Sequence, residues 1–84
     1  MTAGFQILCA NKNPQGVILR LGGDGWSLSQ HQAIVGLIHK RLRLHIFIGN
    51  ESFEIGVRGE GMDSYLALEP NGERLSEVEG LQSC

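Results

Sequence analysis

Residues 42–48 place an apolar residue at every second position, with Arg43, His45 and Phe47 between them. The same alternation returns over residues 53–58, after a turn at residues 49–51. A period of two is typical of a strand with one buried face. The sequence therefore predicts two antiparallel strands whose second face, carrying Arg43, His45 and Phe47, is either solvated or an interface.

A helical period marks the residues just before this hairpin. Ser29 followed by Gln32 is a capping box, in which each side chain satisfies a backbone N–H at the start of a helix. Apolar residues then recur at helical spacing, namely Ala33, Ile34, Leu37 and Ile38. Three cations follow, His39, Lys40 and Arg41, at the end where positive charge favours the helix dipole. The pattern predicts a helix from Gln30 to about Arg41.

The remaining segments are short and β-rich, and they are separated by glycine, proline and asparagine. Runs at residues 5–10 and 17–21 flank a turn and predict a hairpin, and residues 65–68 predict a last strand. We therefore predict an α+β fold in the order ββαβββ, with an antiparallel sheet of four to five short strands and one helix on one face. Residues 1–84 form one small domain, with a tail from about residue 73 that is partly docked.

Composition narrows the class of protein. The chain has 84 residues, a net charge of −2 and 42% hydrophobic residues, as globular proteins do. No apolar run approaches the roughly 18 residues of a membrane span. The first residues do not follow the pattern of a signal peptide, so we expect a cytoplasmic protein. Cys9 is predicted to be a small core residue and Cys84 to fray, with no disulfide framework.

Several motifs resemble a known family. These are Leu21–Ser29 with Ala33-Ile34, then Tyr65-Leu66 leading to Glu69–Gly72, and the closing Leu81–Cys84. They are similar to the short bacterial proteins of domain of unknown function 3892, over nearly the whole chain. The sequence departs from that family at residues 76–79, where paired asparagines are absent, and at Gln82, where a proline is usual. The resemblance implies a small α+β fold and a bacterial or phage origin, and no activity.

Three kinds of chemistry receive little support. The glycines of residues 22–25 lie between a strand and a helix but lack the spacing of a phosphate-binding loop. The three histidines have no partners at metal-ligand spacing, so no metal or other cofactor is expected. The serines occupy predicted turns and caps, and the acids are scattered. The sequence therefore favours a protein that is not an enzyme.

The candidate binding residues are the local concentration of positive charge with two aromatic side chains beside it: Lys40, Arg41, Arg43, His45, Phe47 and Trp26. Compensation of the helix dipole explains much of this charge. We favour a non-catalytic protein-binding module that forms a homodimer, acting as a regulator or as a phage or mobile-element inhibitor. The alternative is a weak nucleic-acid or nucleotide binder that uses these basic residues and the glycine-rich loop at residues 22–25. No membrane contact is expected.

Overall fold

The computed structural model describes residues 3–84, and Ala3 only in its backbone. Residues 61–63 and 75–77 form short 3-10 turns. The strands and the helix are, in chain order, β1 (Ala3–Gln6), β2 (Cys9–Lys12), β3 (Ile18–Gly23), β4 (Trp26–Ser29), α1 (Gln30–Ile38), β5 (Leu42–Ile48), β6 (Glu51–Arg58), β7 (Tyr65–Glu69) and β8 (Glu73–Arg74).

The strands form two sheets. Sheet A has the order β1-β5-β6-β7-β8, and sheet B has the order β2-β3-β4. The α+β class and the single helix between strands are confirmed. The prediction of one antiparallel sheet in the order ββαβββ is wrong, because residues 3–84 contain eight strands in two sheets and β1 is parallel to β5.

One of the extra strands arises because a single apolar run serves both sheets. The run at residues 5–10 breaks at Ile7 and Leu8. The Ile7 N–H donates to the His45 carbonyl in sheet A, whereas the Leu8 N–H donates to the Gly22 carbonyl in sheet B. The composition of such a run is the same whether it forms one strand or two. Only the hydrogen-bond partners separate β1 from β2.

The glycine-rich stretch was also predicted as a loop, and half of it is a strand. Gly22 and Gly23 end β3, and the turn to β4 is made by Asp24 and Gly25 alone. Gly25 has a φ of 76°, which glycine adopts without a steric penalty. At Gly22 an added Cβ would lie 2.9 Å from the Cys9 sulfur, so a side chain there would displace its neighbours.

The helix begins where the sequence predicted. The Ser29 hydroxyl accepts a hydrogen bond from the Gln32 N–H at 3.1 Å, and the Gln32 side chain accepts one from the Ser29 N–H at 2.9 Å. The helix ends at Ile38, earlier than the predicted Arg41, since Lys40 takes a left-handed conformation with a φ of 56°. The N–H groups of Lys40 and Arg41 then donate to the carbonyls of Leu37 and Gly36, as in a Schellman motif.

Ser29→Ala is expected to lower the free energy of unfolding by about 1 kcal/mol, because it leaves a backbone N–H of the first helical turn without its partner. Urea denaturation of both proteins measures this difference. Ser83→Ala, at an exposed position outside the helix, is the control and should unfold at the wild-type midpoint. An unchanged midpoint for Ser29→Ala would contradict the capping role.

The core is shared by both sheets, the helix and the last residues. Leu44 and Leu68 of sheet A, Leu21 of sheet B and Ala33 of the helix are almost completely buried. Leu75, in the segment where the sequence predicted a partly docked tail, is 0% exposed and belongs to the same cluster. The inner face of sheet A is therefore covered by α1, by sheet B and by the apolar residues that follow β8.

A disulfide links Cys9 to Cys84, so the predictions of a free core cysteine and a fraying Cys84 are wrong. The two residues are 75 positions apart, and sequence spacing gave no sign that they meet.

No helix in residues 3–84 is long and apolar enough to cross a membrane. The cytoplasmic localisation stays a prediction, and a disulfide is more common in oxidising compartments.

Candidate binding surface

Sheet A splits between β5 and β6. The β5–β6 ladder ends at the pair His45–Glu54. Beyond it, residues 42–44 of β5 continue to pair with β1, while residues 55–58 of β6 pair with β7. A cleft of about 650 Å³ lies at this split, between Leu42 and Val57, and the end of α1 also lines it.

Two of the predicted basic residues, Lys40 and Arg43, reach this cleft. Arg43 is bound to Glu54 on the neighbouring strand, with Nε and Nη2 donating to Oε1 at 2.9 and 2.7 Å. Both side chains are more than half exposed, so the pair adds little stability. It does offset the positive charge of Arg43. Arg41 is exposed just after the helix.

His45 and Phe47 lie on the same face of β5 as Arg43. Their rings meet edge to face with centroids 5.7 Å apart, and Phe47 is 51% exposed. Trp26 lies elsewhere, in β4, where its half-buried ring contacts Phe5 at a centroid distance of 5.5 Å. The structure thus brings the β5 residues together along one face and leaves Trp26 in a separate cluster with the core.

The rest of this sheet face carries a cross-strand ion pair and a cation–π contact. The Arg58 guanidinium donates to both carboxylate oxygens of Glu69, at 3.0 and 2.7 Å. These hydrogen bonds lower the pKa of Glu69 and raise that of Arg58. Further along, Arg74 lies 3.8 Å over the Tyr65 ring. The predicted outer face of the sheet is therefore polar and largely satisfied by its own partners.

An exposed apolar surface lies instead on the helix. We call Val35, Ile38 and Met62 the α1 face; they are 38%, 57% and 103% exposed. A shallow hollow of about 380 Å³ runs between the helix and the Met62 loop, and Ile34 lines it as well. The helical period groups Ile38 with the buried Ala33, since periodicity shows which residues share a face and not how much of that face is covered.

The two ends of the α1 face carry opposite charge. Glu60 and Asp63 flank Met62, and Asp63 lies in a hollow with Gln30, the first residue of the helix. Lys40 and Arg41 follow the other end of the helix. An antiparallel copy of the surface would therefore place acidic groups opposite basic ones.

The glycine stretch does not form an open loop. Added Cβ atoms would lie within 3 Å of the Cys9 sulfur at Gly22 and of the Trp26 ring at Gly23, so both glycines allow close packing. Among residues 3–84, no three His, Cys, Asp or Glu side chains are grouped as metal ligands.

No protein-family model, curated protein or solved structure matches this chain. The resemblance to domain of unknown function 3892 therefore stays a prediction.

Proposed function

We propose that this chain is a non-catalytic protein-binding module and that its α1 face is a binding surface. The observation that carries the proposal is the exposure of Val35, Ile38 and Met62 on one side of the molecule. Contiguous apolar side chains on a surface are a feature of protein interaction sites. A regulator or an inhibitor, the two roles that the sequence favours, would act by occupying such a surface.

The partner that we propose for the α1 face is a second copy of the chain. A two-fold axis through the middle of the helix would bring Val35 against its counterpart and align the two helices antiparallel. Arg41 of one copy would then approach Asp63 of the other. The antiparallel helices would also place the positive end of each helix dipole beside the negative end of the other. A chain of 84 residues has a thin core, and dimerisation would enlarge it.

Ile38→Asp is expected to convert a dimer into the 9.2 kDa monomer, because it places a carboxylate in the apolar contact. Light scattering at matched concentrations measures the mass of each protein. Leu19→Asp is the control, since Leu19 is 51% exposed in β3, outside the α1 face. The α1 dimer would be contradicted if the wild type were already a monomer. It would also be contradicted if Leu19→Asp became monomeric to the same extent as Ile38→Asp.

Charge reversal tests the antiparallel arrangement separately. Arg41→Glu alone should weaken the dimer, because it faces Asp63 with a like charge. Arg41→Glu combined with Asp63→Arg should restore the dimer. If the contact depended on apolar side chains alone, neither change would alter the mass.

The nucleic-acid alternative has weaker support, because Glu54 offsets the charge of Arg43 and the net charge is −2. We expect no tight binding of labelled single- or double-stranded DNA or RNA at about 50 mM salt, where phosphate contacts are strong. Fluorescence anisotropy measures this. Nanomolar affinity that is lost on reversing Arg41 and Arg43 to Glu, with the fold intact, would move the nucleic-acid role to first place.

The proposal that the module is not an enzyme rests on the surroundings of its polar groups. Ser29 caps the helix, and Ser27 accepts hydrogen bonds from Arg20. The shifted pKa values of Arg58 and Glu69 come from an ion pair on the surface rather than in a cleft. Shifted values of this kind have a structural cause and are no sign of acid–base catalysis.

A further inference from the structure

β2 is an edge strand of sheet B, and its outer edge is already occupied. The Ala10 N–H donates to the Gln82 carbonyl at 2.8 Å, and Cys9 and Gln82 form a parallel bridge. Residues around Gln82 thus add to β2 as an extended segment. Edge strands accept such segments because their outward backbone groups have no partner within the sheet.

The residues that cover this edge are held by few contacts apart from the disulfide. The Cys84 N–H donates to Asn11 Oδ1 at 2.9 Å, and Leu81 is half-buried against the core. Glu79, Gly80, Gln82 and Ser83 are exposed. Val78, one residue earlier, is only 8% exposed and is the last residue of the buried core cluster. We call residues 79–84 the cover segment.

We propose that the Cys9–Cys84 disulfide is a redox latch that holds the cover segment on the edge of β2, and that its reduction opens this edge to an extended segment of a protein partner. The proposal rests on the protein-binding role given above. It concerns a second surface, however, because β2 lies in sheet B and the α1 face does not include it.

The step requires a dithiol reductant. One thiolate of the reductant attacks a disulfide sulfur, and Cys84 is the more exposed of the two residues. The S–S bond breaks, a mixed disulfide forms, and the second thiol of the reductant displaces the protein cysteine. Two electrons and two protons pass to the protein, which leaves two cysteine thiols and an oxidised, cyclised reductant. A reducing compartment would therefore open the latch and an oxidising one would close it.

The occupied edge shows which partner fits. The cover segment offers an apolar side chain, Leu81, followed by a backbone carbonyl that accepts from Ala10. The hollow beside it is lined by Leu8 and Ile48, which are 49% and 36% exposed. A partner segment would be extended, would run parallel to β2, and would carry an apolar residue at the position of Leu81.

Hydrogen exchange of the full chain, with and without a dithiol reductant, tests the latch. Residues 3–84 contain no cysteine outside the disulfide, so the reductant acts there alone. On reduction we expect a loss of protection at the Ala10 amide and none at Ile46, which is buried in β5 of sheet A. Unchanged protection at Ala10 would overturn the latch, and so would simultaneous loss at Ala10 and Ile46, which reports global unfolding.

A labelled peptide of residues 78–83 tests the opened edge. It should bind the reduced chain and not the oxidised chain, and a peptide with Asp in place of Leu81 should bind neither. Binding to both forms, or to neither form, would overturn the proposal of a gated edge. The oligomer mass of Ile38→Asp is measured independently, so failure of the peptide test leaves the α1 dimer standing, and the reverse also holds.

Discussion

Cys84→Ser is expected to lower the free energy of unfolding by about 4 kcal/mol, between the values of about 3 and 4.7 kcal/mol for disulfide loops of about 15 and 100 residues. The bond joins residues 75 positions apart and thus restricts nearly the whole unfolded chain. Since small domains are stable by roughly 5–15 kcal/mol, a loss of this size is a large part of the total.

Urea denaturation of the oxidised wild type, the reduced wild type and Cys84→Ser measures the effect. The last two should coincide, because both lack only the Cys9–Cys84 bond. Ser83→Ala, next to the bond and exposed, should stay close to the oxidised wild type. Equal midpoints for the oxidised wild type and Cys84→Ser would show that the disulfide does not form in solution.

Leu75→Ala is expected to cost about 2–5 kcal/mol, the usual range for removing a buried leucine side chain. Leu75 is 0% exposed and packs with the core of both sheets. The same unfolding measurement applies, followed by the fluorescence of Trp26, which lies in β4 and packs against the same core.

Leu19→Ala is the matched control, because it removes the same atoms from a side chain that is 51% exposed. Its effect should stay within about 0.5 kcal/mol. A similarly small effect for Leu75→Ala would mean that the residues after β8 separate from the core before the rest of the chain unfolds.

Periodicity correctly predicted the elements whose signals are local. The alternation over residues 42–48 became β5, and the Ser29–Gln32 capping box marks the first turn of α1. Each of these signals depends on residues a few positions apart. A strand with one buried face and a helix start are therefore readable without knowing the rest of the fold.

The fold brings only some of the predicted binding residues together. Lys40 and Arg43 do line a cleft, but their charge cluster is offset by Glu54, which approaches from the neighbouring strand. The exposure of Ile38 was missed, because the helical period assigns it to the same stripe as the buried Ala33. How much of a stripe is covered depends on the width of the sheet beneath it.

By itself the sequence determined the α+β class, the capped helix and the β5 alternation, because each is fixed by neighbouring residues. Only the tertiary structure decided the split of the chain into two sheets, the parallel pairing of β1 with β5, and the disulfide between Cys9 and Cys84. These features join residues that are tens of positions apart. Their partners are selected by packing and by the hydrogen bonds that remain to be satisfied, and neither leaves a periodic mark on the sequence.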